Sequence, residues 1–193
     1  MEIYTMVKRA LLIGSNYTAT PQATLYGCIN DIVNVRNVLV DAYGYLPANI
    51  VMLRDDDKNR LPTKINIMNN LTQIIKSSSP SDEIWIHYSG HGTQLRDANG
   101  DEAEGLDEAI VPCDFYTAGM ISDDEIFNVI SKATCRLLIF FDSCHSGTAV
   151  DLQYVANYNN GIIAKSVNGR KNIANPNIVM ISGCRDAQTS ADS

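Results

Sequence analysis

Five short apolar runs recur along the chain, and amphipathic stretches of helical period fall between most of them. They are Ala10-Leu11-Leu12-Ile13-Gly14, Asn49 to Leu53, Glu83 to Tyr88, Arg136 to Phe141 and Ile178 to Ser182. This alternation is the feature that most restricts the fold. Strands separated by helices form βαβ units, which close into a mainly parallel sheet with helices on both faces. From Cys28 to Ala42 the apolar residues Ile32, Val35, Leu39 and Ala42 recur at helical spacing. Pro62-Thr63 opens a second helix, whose inner face is Ile67, Met68, Leu71, Ile74 and Ile75. Ser122 begins a third, running to about Ser131, and Ala109 to Val111 reads as a short extra strand. A long polar stretch separates Gly90 from Leu106, and residues 152–175, rich in Asn, Gly and Lys, read as an exposed mobile loop.

At 193 residues the chain is one α/β domain, residues 1–193, long enough to bury a single core. No segment approaches the roughly eighteen apolar residues of a membrane span. Met1 to Ala10 lacks the apolar stretch and cleavage site of a secretory leader. Five cysteines without regular spacing do not form a disulfide framework, so a reducing, cytoplasmic setting is expected. The net charge of −7 argues against nucleic acid, whose recognition needs a basic face.

In open parallel sheets, ligands bind beyond the carboxyl ends of the strands. That rule points to Ser89–Thr93 and to Asp142–Gly147. The first stretch belongs to His87-Tyr88-Ser89-Gly90-His91-Gly92. A zinc pair formed by His87 and His91 would need a helix, whereas these residues leave a strand through glycine. The second, Asp142-Ser143-Cys144-His145-Ser146-Gly147, puts a cysteine in the turn leaving the most apolar strand. A thiol there becomes a nucleophile if a nearby imidazole or helix N-terminus lowers its pKa. Read by itself, Cys144 fits equally a small buried hydrophobe.

The two motifs resemble the catalytic motifs of metacaspases, in the caspase-like clan of cysteine peptidases. Lys8 to Tyr17, Gly27-Cys28-Ile29-Asn30-Asp31, Gly100-Asp101-Glu102, Leu106-Asp107-Glu108, Ser122-Asp123-Asp124-Glu125 and Ser182 to Asp192 match in the same order and spacing. The resemblance implies a caspase-like sandwich and a Cys–His dyad. In that dyad Cys144 attacks the scissile carbonyl, His91 carries the proton, and the N–H groups of Gly92 and Cys144 form the oxyanion hole. His145, next to the nucleophile, is not expected to be the base.

The resemblance further implies cleavage after Arg or Lys, with an acidic primary pocket made by Cys28, Asp31, Ser89 and Asp142 and Asp192 at its rim. A basic side chain entering a pocket needs carboxylate partners to offset its desolvation. On the residues alone, Asp31 also fits a first-turn acid that complements a helix dipole, and Asp142 a turn residue. The implied calcium ligands are Asp107, Asp123, Asp124 and Asp151, a set of hard oxygen donors suited to that ion. Ser122-x-x-Glu125 is also a capping box, compatible with metal binding beside it. Asp97-x-Asn99-x-Asp101, with Glu108 at the twelfth position, mimics an EF-hand loop but has Glu102 where that loop needs glycine.

Metacaspases normally continue into a smaller segment that supplies a final helix and strand. The expectation is therefore an open sheet edge, available to a small-subunit segment or to self-association. Lys165, Arg170 and Lys171 are expected to be open to proteolysis, and self-processing is expected in the 152–175 loop. The alternative function is a weak or inactive caspase-fold subunit acting as an interaction module. Cleavage after Asp would require arginines near the pocket positions, and none falls there.

Overall fold

The computed structural model describes residues 5–96, 106–143, 154–159, 162–167 and 174–183. Its centre is a five-stranded, all-parallel sheet of β1 (Lys8–Gly14), β2 (Ile50–Arg54), β3 (Glu83–Ser89), β7 (Arg136–Asp142) and β10 (Ile178–Ser182), in the order β10-β7-β3-β1-β2. Helices α1 (Cys28–Asp41), α2 (Lys64–Lys76) and α4 (Asp123–Ile130) pack beside it, and a single turn, α3, covers Phe115–Ala118. This is the α/β, caspase-like arrangement expected from the sequence. Strand and helix bounds agree with the reading to within two or three residues.

The alternation of side chains across the strands sorts them between two cores. Leu11, Ile13, Ile84, Ile86, Tyr88, Leu137, Ile139 and Phe141 join Ile67, Leu71, Ile74 and Ile75 of α2 and Ile126 and Ile130 of α4. Ala10 and Leu12 point the other way, to Ile32 and Leu39 of α1. Each large aliphatic side chain buried in this way contributes about 1.5–3 kcal/mol. The inner face of α2 is the expected one, with Met68 packed against it. Thr63 caps α2 by accepting from Asn66 N, and Ser122 and Glu125 make both halves of the capping box at α4.

The amino ends of β1 and β3 are tied by Asp82. Its carboxylate accepts from Val7 N at 2.9 Å, Ser79 N at 2.9 Å and Arg9 Nη1 at 2.7 Å. Burial pushes this carboxyl up, but those donors outweigh it and hold the pKa at about 2. At the opposite end, Gly14 lets α1 approach: a Cβ there would lie 2.7 Å from Cys28 O. The chain leaves β1 for β2 on one side and returns to β3 on the other. The carboxyl ends of β1 and β3 thus flank the topological switch point, where a crevice opens.

Two stretches differ from the sequence reading. Within the polar region after Gly90, β4 (Gly92–Arg96) pairs antiparallel with β5 (Leu106–Ile110), which also pairs with β6 (Ile121–Ser122). The expected loop at 152–175 contains β8 (Tyr154–Asn159) and β9 (Ile162–Val167), paired as an antiparallel ribbon. Its polar composition hid the β-formers Tyr154, Val155, Tyr158, Ile162 and Ile163, and the hairpin signal Asn160-Gly161 between the runs. Among the described residues no helix is long and apolar enough to cross a membrane.

Candidate active site

Neighbouring strands β3 and β7 bring Ser89 of the first motif and Asp142, the first residue of the second, to the same level. Ser89 stands opposite Asp142 in the register, and Gly90 N donates to Asp142 O at 3.3 Å. Phe141 anchors the end of β7 in the core, while Asp142 turns outward to solvent. Cys144 and His145 lie outside the described residues, as do Asp151 and Asp192.

His91 follows β3 directly and is held at several points. Its Nε2 lies 2.8 Å from Ala23 O. A carbonyl only accepts, so Nε2 carries the proton, and in the neutral ring Nδ1 is the bare, basic nitrogen. The His91 imidazole packs on the Tyr17 ring with centroids 4.8 Å apart. His91 N donates to Tyr17 Oη at 3.0 Å, and His91 O accepts from Tyr88 Oη at 2.6 Å. Gly90 makes room for this arrangement, since a Cβ there would fall 2.6 Å from Tyr88 Oη and 3.0 Å from Tyr17 Oη. Gly92 begins β4, paired with Ile110.

The residues expected to form the pocket gather at the carboxyl edge of the sheet. Ser89, itself buried, donates its hydroxyl to Asp31 Oδ2 at 2.8 Å. Asp31 lies in the first turn of α1, where Cys28 is buried one turn earlier. The Asp31 carboxylate is therefore turned toward the end of β3 and does more than complement the helix dipole. Asp142 stands in register with Ser89, so both carboxylates lie at the carboxyl end of β3, where both act on His87.

His87 sits one step down β3 on the Ser89 face, its ring 6.3 Å from that of Phe140. Burial lowers its pKa, against the opposing pull of Asp142 and Asp31, so the imidazole is neutral near pH 7. Neither ring nitrogen has a hydrogen-bond partner among the described residues. Because residues 83–89 are strand, the helical i, i+4 geometry of a zinc pair with His91 does not arise.

Of the expected calcium ligands, Asp123 and Asp124 open α4 and Asp107 lies on β5. The β5–β6 pairing ends at Ala109 opposite Ser122, which brings Asp107 along the strand that borders the start of α4. Asp123 is buried and accepts from Asp124 N at 2.8 Å. Among the described residues no three His, Cys, Asp or Glu side chains converge as a metal cluster. Aspartate oxygens are donors of the kind that a hard cation takes.

Sequence reasoning missed Ala23, Tyr17 and Tyr88 as parts of the site. Tyr17 and Tyr88 fall inside matched motifs, which was the available signal. A backbone carbonyl 68 residues from the histidine has none.

A family model for the metacaspase, peptidase C14 domain matches residues 8–153. The chain is 48% identical over 153 residues to metacaspase-1 of Cryptococcus neoformans, covering 77% of this chain and 33% of that protein. It is 43% identical over 171 residues to metacaspase-1 of Eremothecium gossypii, covering 86% of this chain and 37% of that protein. The crystal structure of a protein from Geobacter sulfurreducens shares the fold with a TM-score of 0.67 at 25% identity, covering 97% of this chain and 76% of that one. A parallel sheet with a histidine motif and a cysteine motif at adjacent strand ends defines a cysteine-peptidase-like α/β domain, and the chain belongs to the metacaspase peptidase C14 family. It spans about a third of the length of those curated relatives.

Proposed function

We propose that the chain is the catalytic region of a cysteine endopeptidase that cleaves after Arg or Lys, with Cys144 as nucleophile and His91 as base. The observation that carries this reading is the His91–Ala23 bond, which leaves Nδ1 basic beside the strand end that leads into Cys144. In the first half-reaction the Cys144 thiol gives its proton to His91 Nδ1 and the sulfur adds to the scissile carbonyl. Gly92 and Cys144 N–H groups receive the oxyanion. Collapse breaks the C–N bond, the imidazolium protonates the departing amine, and a thioester remains. Water, deprotonated by His91, then releases the carboxylic acid and regenerates the thiol.

Asp31 and Asp142, with Ser89 between them and Cys28 behind, receive the basic side chain. The Ser89–Asp31 bond supports this role because it orients one carboxylate toward the strand ends. Calcium is the proposed cofactor, held by Asp107, Asp123, Asp124 and Asp151. When bound it would neutralise that acidic cluster, while bond cleavage stays with the dyad. A reducing, cytoplasmic setting belongs to the same proposal, on the strength of five cysteines without regular spacing. Self-processing belongs to the same reading, at Arg170 or Lys171 rather than Lys165, whose backbone is paired with Ala156.

Strand β10 ends the five-stranded sheet as described, with Val179 and Ile181 about half exposed. That edge favours a second element of function: pairing with a small-subunit segment or a second copy. The interaction-module reading rests on the same edge.

The test is hydrolysis of fluorogenic peptides ending in Arg, Lys or Asp, with calcium or chelator, beside Cys144→Ala. Calcium-stimulated cleavage after Arg and Lys, lost in the variant, is expected. A folded chain without turnover on any peptide would replace the peptidase by the interaction module.

A further inference from the structure

We propose that Tyr17 is a positioning residue for His91, fixing the imidazole in the orientation that leaves Nδ1 free to act as base. This inference rests on the reading of His91 as the base.

Tyr17 is the one non-glycine among the described residues with positive φ, at 52°. A bulky side chain in the left-handed region is uncommon and persists only where its surroundings hold it. Here Asp55 does so: its carboxylate accepts from Asn16 N at 3.0 Å and Thr18 N at 3.1 Å, on either side of Tyr17. The unusual turn has two consequences for His91. First, it sends the Tyr17 ring into the core, 2% exposed, against the imidazole. Second, it starts the turn that presents Ala23. Tyr17 O accepts from Thr20 N at 2.8 Å, and Thr20 O accepts from Ala23 N at 2.9 Å. One short segment thus supplies the ring stack, the hydroxyl bound to His91 N and the carbonyl bound to Nε2.

The hydroxyls complete a closed set of bonds. Tyr17 Oη donates to Val111 O at 2.7 Å while accepting from His91 N. Tyr88 Oη donates to His91 O at 2.6 Å while accepting from Val111 N at 3.2 Å. The two oxygens are 3.1 Å apart. Each phenol gives one proton and takes one, so His91 and Val111 are braced across the start of the β4–β5 pairing. Burial raises both phenols above their ordinary pKa, so each remains a donor throughout the working range.

The test compares the full chain with Tyr17→Phe, which keeps the buried ring, and with Tyr17→Ala. Two readouts are taken: kcat and KM against pH with an Arg peptide, and long-range proton–nitrogen spectra of the His91 ring. Tyr17→Phe should lower kcat about 10- to 100-fold with KM little changed, the loss expected from a small misplacement of the base. Its His91 ring should show mixed tautomers where the parent shows Nε2–H alone. Tyr17→Ala should go further in both. A lost melting temperature with an unaltered tautomer and unaltered kcat in Tyr17→Phe would reduce Tyr17 to a packing residue and overturn the proposal. The ring spectra need no turnover. A parent without peptidase activity whose Nε2–H tautomer depends on the Tyr17 hydroxyl would therefore uphold the positioning role and overturn the peptidase reading alone.

Discussion

Ser89 Oγ donates to Asp31 Oδ2 at 2.8 Å, joining the carboxyl end of β3 to the first turn of α1 across 58 residues. The bond turns a helix acid toward the crevice. Asp31→Asn removes the charge and keeps the shape, so kcat/KM for Arg peptides should fall about 10- to 100-fold, the loss of one charge-assisted partner. Ser89→Ala should fall less, since only the orientation of Asp31 is lost. Steady-state kinetics on Arg and neutral peptides would check this, the neutral substrate being little affected.

Gly90 stands where a methyl group would meet two buried phenol oxygens. Neither ring can withdraw without leaving the core. Gly90→Ala should therefore cost about 1–3 kcal/mol of stability, as overpacking does. It should also slow alkylation of Cys144, because His91 moves with the tyrosines. Urea unfolding and iodoacetamide kinetics would read the two effects separately.

His87 makes stability fall on the acid side of neutrality. Burial depresses its pKa in the folded state, while the unfolded chain protonates near the ordinary imidazole value of about 6.5. Below that value the unfolded state binds the extra proton, so stability declines as pH drops. Asp142 and Asp31 pull the other way and limit the effect. In His87→Phe the urea midpoint should vary less between neutral and mildly acid pH than in the parent.

Asp82 acts in a lower window. Its folded pKa of about 2 lies below the ordinary carboxylate value, so its contribution is complete above the latter and is lost as pH falls through the former. Asp82→Asn should reduce stability at neutral pH by about 2 kcal/mol, through the weakened bonds to Val7, Ser79 and Arg9. It should also flatten the acid limb of the stability profile. Chemical denaturation across that range would measure both.

Periodicity, caps and strand-end glycines are short-range properties, and they were enough to read β1, α1, β2, α2, β3, α4, β7 and β10 from the sequence. The capping box at Ser122 and Glu125 and the inner face of α2 were legible for the same reason: each depends on residues three or four apart. The ribbon Tyr154–Asn159 with Ile162–Val167 was not, because its strands alternate weakly and their pairing, not their composition, makes them strands.

At the site, the motifs themselves single out the candidate residues. What only the tertiary structure decided was orientation. Ala23 O and Tyr17 Oη reach His91 from 68 and 74 residues away, through a left-handed turn that no local pattern announces. A ring nitrogen's proton is placed by whatever acceptor the fold brings to it. The sequence by itself therefore singles out the histidine, and the packing of β1, β3 and the turn at Tyr17 decides which of its nitrogens carries the proton.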